Sequence, residues 1–145
     1  SQGTRCHQLA TYIVFDSPLV MLCDAPTAYR KEPECTRFIA GLPVVADETR
    51  ILQGKMGEYI VTARRVGEDW IVGGLTDWEA RTVDLDLSFL PEGMFRAEIF
   101  CDGINADKKG EDYRHEYRDV KREDRLKMQL APGGGFAIRL KKNHN

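Results

Sequence analysis

The chain has 145 residues, enough for one domain with a full core or for one domain plus part of another. Hydrophobic residues make up 42% and charged residues 30%, and in the net charge of −2 acids and bases are interspersed, so nucleic acid is not an expected partner. The longest apolar stretch is too short to span a bilayer and no signal peptide opens the chain, so no membrane partner is expected.

The first element is helical. "TRCHQLATYIVF" puts Leu9, Tyr12 and Ile13 on one side, and Ser17-Pro18 is expected to end it, because proline lacks an N–H and restricts the residue before it. "PLVML", Pro18 to Leu22, is continuously apolar and reads as a strand buried on both faces, the habit of parallel sheets. After the "DAPTAYRKEP" loop, Pro33 suits a first helical turn. "ECTRFIAGL" then aligns Cys35, Phe38, Ile39 and Leu42 before Gly41-Leu42-Pro43 closes the helix.

From Val44 the apolar period changes to two. "EYIVTARR" and "DWIVGGLTDW" flank a hairpin turn at Gly67-Glu68-Asp69. "TVDLDLSFL" points Val83, Leu85, Leu87 and Phe89 inward, and "MFRAEIF" continues the pattern. "EDYRHEYRDV" fits both an alternating strand and a helix face; the turns around it favour the strand. "RLKMQLA" and "FAIRLK" flank Pro132-Gly133-Gly134-Gly135 as a last hairpin. Strands at this spacing predict a mainly β fold, an antiparallel sandwich of about seven or eight strands, behind a helix–strand–helix preface. The division falls at residues 1–43 and 44–145. The expected core is Ile60, Val72, Val83, Leu85, Leu87, Ile99, Leu126, Met128, Leu130, Phe136 and Ile138, with the choice between Ile60 and Val61 open.

Candidate chemistry is sparse. Cys6, Cys23, Cys35 and Cys101 form no C-x-x-C pair and read as buried free thiols, and His7 reads as a packed or capping residue. "APGGGF" lacks the Gly-Lys-Ser/Thr of a phosphate cradle and reads as a turn. "DGINAD", with Asp102, Asn105 and Asp107, lacks the spacing of a calcium loop, so no metal is expected in this chain. Glycosidases need two carboxylates across a scissile bond; Asp16, Asp24, Asp47 and Glu48 are the candidates, without a sign that two converge. Trp70, Trp78 and Tyr59 could form an aromatic platform for glycan, the mark of a carbohydrate-binding module. Aromatics on alternating strands are more often core, which is the expected place of Trp70, while Trp78 near a turn is open to either.

Several stretches, taken in order, carry a resemblance: "GTRCHQLATYIVFDSPLVMLCDAP", "EPECTRFI", "VVADET", "GKMGEYIVTARR", "TDW", "EIFCDGINAD" and "LAPGGGFAIRL". Together they closely resemble the C-terminal part of glycoside hydrolase family 97, a family of α-glucosidases and α-galactosidases. The resemblance implies that residues 1–43 supply the seventh helix, eighth strand and last helix of a catalytic (β/α)₈ barrel, and that the remainder is the family's C-terminal sandwich. It places the catalytic carboxylates and calcium-ligating glutamates upstream, so no catalytic residue is expected in this chain and calcium belongs to the longer parent.

Asp24, just past the barrel strand, is the one candidate for the substrate rim, since barrel active sites form at that end. The implied partners are the upstream barrel and the parent's oligosaccharide substrate, and the implied location is periplasmic or secreted. This chain alone is expected to be inactive. A severed barrel would expose the apolar helices and an unpaired strand, so self-association through that surface is a further expectation. A complete small enzyme using Asp24 with Asp47 or Glu48 is the weakest alternative.

Overall fold

The computed structural model describes residues 3–15, 33–43 and 45–144. Helix α1 spans Arg5–Val14 and helix α2 spans Pro33–Ala40. Eight strands follow: β1 Glu48–Lys55, β2 Tyr59–Val66, β3 Asp69–Thr76, β4 Arg81–Asp86, β5 Phe95–Asp102, β6 Tyr113–Val120, β7 Arg125–Leu130 and β8 Gly135–Lys142. The pairings are antiparallel. Six strands form one sheet in the order β1-β2-β3-β8-β5-β6, and β4 and β7 form a second. The predicted Pro18–Leu22 strand, Asp16, Asp24 and Cys23 lie outside the described residues.

Period-two alternation aims one row of side chains into the space between the sheets. Val83 and Leu85 of β4, Leu126, Met128 and Leu130 of β7, Ile99 of β5 and Phe136 and Ile138 of β8 meet there. The expected core holds except at Ile60. Val61 and Ala63 face inward and are fully buried, whereas Ile60 lies on the opposite face of β2. Consecutive apolar residues leave the face undecided, and a shift of one residue exchanges every side chain across the sheet. Pairing of Val61 with Gly74 sets the register.

Between β2 and β3 the two-residue turn has Gly67 at φ +61°, while Glu68 keeps a negative φ. That is the type II′ geometry, in which glycine at the first position matches the strand twist. Alternation in "TVDLDLSFL" stops being a strand at Asp86. Its carboxylate accepts the Ser88 N–H at 2.9 Å and turns Leu87–Phe89 into one 3₁₀ turn. Leu87 is still buried, and Phe89 is half-buried with its ring 5.0 Å from Trp70.

The last hairpin does not form. β7 pairs with β4, and β8 inserts between β3 and β5, so Pro132–Gly134 is an arch between sheets. The carboxylate of Asp102 holds it, its Oδ2 accepting the N–H groups of Ala131 at 2.8 Å and Gly135 at 3.0 Å. Gly133 sits at φ +63° there, a conformation that suits arch and hairpin alike. β1 was not foreseen. Its Thr49, Arg50 and Ile51 are exposed and a bulge falls between Ile51 and Gln53, so this edge strand carries no apolar alternation.

The helices lie on the outer face of the large sheet. Thr4 caps α1, its hydroxyl accepting the His7 N–H at 3.0 Å. Cys6, Leu9, Tyr12 and Ile13 of α1 and Cys35, Phe38, Ile39 and Leu42 of the α2 region pack with Ile71, Phe100 and Ala137 of the sheet. Gly73 permits the close approach, since a Cβ there would stand 2.8 Å from that of Ile13. These apolar side chains are therefore covered by the chain's own sheet and supply no exposed patch. A sheet with apolar residues on both faces can bury two layers.

Candidate functional site

The clearest constellation of titratable groups lies where α2 meets β5 and β6. Alternation along "EDYRHEYRDV" sets Tyr113, His115 and Tyr117 on the helix-facing side of β6, and the register places Phe100 beside His115 and Glu98 beside Tyr117. Glu34, in the first turn of α2, reaches across to them. Tyr113 donates its hydroxyl to Glu34 Oε1 at 2.6 Å, and His115 Nδ1 contacts Glu34 Oε2. The other ring nitrogen, Nε2, lies 2.8 Å from Glu98 Oε2, which also accepts the Tyr117 hydroxyl at 3.2 Å. Below, the imidazole stacks on Phe100 with centroids 4.2 Å apart and planes 10° apart.

Two carboxylates on one imidazole can serve acid–base chemistry when a cavity brings substrate to them. Here the ring's nitrogens are both occupied and its face is against Phe100. The arrangement acts as a clamp between helix and sheet. The Tyr113 hydrogen bond draws the Glu34 carboxyl below its ordinary 4.5, against burial and with help from His115. A lowered folded-state value stabilises the clamp above the unfolded value and loses that contribution as pH falls through the folded one. Helical ellipticity under mild denaturant should therefore fall below about pH 4.5. Glu34→Gln should flatten that acid limb. Because the Glu34 side chain is 37% exposed, the effect should be modest, about 0.5–1 kcal/mol. Identical acid limbs for both proteins would remove Glu34 from the account.

Among the described residues, those singled out from the sequence do not converge. Asp47 accepts the Gly67 N–H at 2.8 Å, and both Asp47 and Glu48 pair with Arg65, at 3.7 and 3.2 Å. Hydrogen bonds from Arg50 and Arg65 hold the Glu48 carboxyl below its usual range, opposite to the shift a general acid requires. Trp70 is buried between the sheets, Tyr59 is half-buried with Arg81 over its ring, and Trp78 is exposed. Trp70 thus takes the core place expected of it, and the three rings form no common row. Cys6, Cys35 and Cys101 are buried free thiols. His7 is half-buried, with Nδ1 3.1 Å from the Gly134 carbonyl.

In "DGINAD", Asp102 turns inward to the arch, and the Asn105 N–H goes to Asp112. Burial raises the Asp102 carboxyl, while Thr4 and the amides of Ala131 and Gly135 oppose the rise. Its donors are the Thr4 side chain and two backbone N–H groups, and among the described residues no cluster of three or more His, Cys, Asp or Glu could hold a metal ion. The described residues therefore do not fit calcium. The clamp was missed because Glu34 and His115 are 81 positions apart; the one local hint was a histidine between two tyrosines at period two.

Comparison with known proteins agrees with this architecture. The family model for the glycosyl hydrolase 97 C-terminal, oligomerisation domain matches residues 45–141. A retaining alpha-galactosidase of Bacteroides thetaiotaomicron is 57% identical over 141 residues, 97% of this chain and 21% of that protein. A probable retaining alpha-galactosidase of Streptomyces bingchenggensis is 30% identical over 90% of this chain and 19% of that protein. Among solved structures, a glycoside hydrolase family 97 enzyme from Pseudoalteromonas sp. strain K8, in complex with acarbose, superposes with a TM-score of 0.88 at 36% identity. The match covers 98% of this chain and 23% of that one. This chain thus spans about a fifth of the length of the curated relatives it matches. With two-thirds of its residues inside the family model and its whole fold shared, the chain belongs to glycoside hydrolase family 97, whose C-terminal domain its sandwich forms.

Proposed function

We propose that this chain is the non-catalytic C-terminal portion of an α-galactosidase, in which residues 44–145 brace a catalytic barrel completed by residues 1–43. The observation that carries the reading is the buried seam between the helices and the outer sheet face. Leu9, Ile13, Phe38 and Ile39 are at most 2% exposed there, and the Glu34–His115–Glu98 clamp ties α2 to two strands. Helices so held serve as fixed outer staves for the strands they surround. The choice of α-galactosides rests on the names of the two relatives. In this reading the acid, the nucleophile and calcium belong to segments upstream, and the parent works in the periplasm or outside the cell.

The test compares the complete enzyme with a version lacking residues 45–145, reading aryl α-galactoside turnover and thermal unfolding with calcium present. Deletion should lower the melting temperature and the yield of folded barrel. The 145-residue chain alone should show no turnover above buffer. A barrel that keeps its melting temperature without the sandwich would overturn the bracing role, and turnover by the short chain would overturn the non-catalytic one.

A further inference from the structure

Helices cover the outer face of the large sheet unevenly. α2 lies over β5 and β6, through Phe38 on Phe100 and Glu34 on Tyr113 and His115. α1 lies over β3 and β8, through Ile13 at Gly73 and the His7 backbone at Gly135. α1 also reaches one end of β2, where Arg64 donates to the Ile13 carbonyl at 3.4 Å and Thr62 is buried, but no described helix lies over β1 or the Ile60 end of β2. Ile51, Gly54, Ile60 and Leu75 share that side, because Ile51 pairs with Thr62, Gly54 with Ile60 and Ile60 with Leu75. With Met56 at the hairpin tip and His7 of α1 along one edge, they line an apolar groove of about 670 Å³. Ile51 is 69% exposed and Met56 fully exposed.

We propose that this groove seats a third helix, the barrel helix that precedes α1 in the complete enzyme. The inference rests on the bracing role proposed above. Neighbouring strands lie about 4.8 Å apart and packed helices about 8–10 Å apart, so one helix covers about two strands. α2 takes β6 and β5, α1 takes β8, β3 and the Thr62–Arg64 end of β2, and β1 with the Ile60 end of β2 leaves room for one more on the far side of α1 from α2. In a (β/α)₈ barrel the helices ring the strands in chain order. If α1 and α2 are consecutive staves, the neighbour on α1's other side is the helix before it. The groove also matches an amphipathic occupant: apolar at the floor, with Lys55, Glu58 and Asp77 around it. The curated relatives have about four-fifths of their length outside the match, ample chain for that occupant.

Ile60→Cys tests the placement, with Leu75→Cys as a second probe and Glu123→Cys, on the exposed turn between β6 and β7, as the reference. Each is labelled with a maleimide in the 145-residue chain and in the complete enzyme, after subtraction of the unsubstituted protein's reaction. Cys introduced at 60 or 75 should react about tenfold or more slowly in the complete enzyme, and quickly in the short chain at every concentration. Equal rates in both proteins would overturn the proposal. So would slow labelling of the short chain as a monomer, which would mean that the chain covers its own groove. Slow labelling that appears only with a dimer in light scattering would assign the groove to a second copy. Equal labelling combined with a barrel destabilised by loss of residues 45–145 would leave the bracing role standing and sink only this placement.

Discussion

Phe100→Ala is expected to lower the free energy of unfolding by about 3–5 kcal/mol, the usual cost of emptying a buried phenylalanine site. Phe100 is fully buried on the helix-facing side of β5. Its ring meets Phe38 edge-on at 5.0 Å and supports the stacked His115 at 4.2 Å. Truncation therefore removes apolar contact from α2 and also the surface on which the clamp rests. The loss should not be uniform. Denaturation followed by helical ellipticity should move to lower denaturant than denaturation followed by the fluorescence of Trp70, which is buried in the other core. In the unsubstituted protein the two transitions should coincide. A loss under about 1 kcal/mol with coincident curves would show that the helices do not depend on this ring.

Leu85→Ala should cost about 2–5 kcal/mol by the same physics in the other core. Leu85 is fully buried near the end of β4, opposite Leu126 of β7. Since β4 and β7 pair only with each other, the small sheet depends on apolar packing against the large one. Ellipticity and Trp70 fluorescence should shift together here, with the midpoint lowered and the slope unchanged. A loss under about 0.5 kcal/mol would overturn the inward assignment of Leu85.

What the residues determined by themselves is the pattern each local segment imposes on its own neighbours. Val83, Leu85, Leu126, Met128 and Leu130 alternate with charged or polar residues, so one face of β4 and β7 had to be inside. Leu9, Tyr12 and Ile13, and likewise Cys35, Phe38 and Ile39, recur at helical spacing, so both helices and their buried sides were legible. Gly67 marked its turn through a backbone angle that side chains disfavour. The family was legible too, but as a resemblance spread over many short stretches.

Tertiary structure decided what depends on partners distant in the chain. β1 is an exposed edge held by backbone bonds to β2, and backbone bonds leave no trace in side-chain pattern. Ile60 and Val61 are both apolar, so only pairing with β3 chose Val61 for the core. Pro132–Gly134 has the residues of a hairpin, but β3 and β5 both have apolar inner faces for β8 to join, and β4 claims β7. The clamp needs Glu34, Glu98 and His115 from three elements, and no local rule brings them together. Local pattern acts over a few residues through sterics and burial, whereas register, sheet order and side-chain pairing are settled by contacts that exist only once the layers have met.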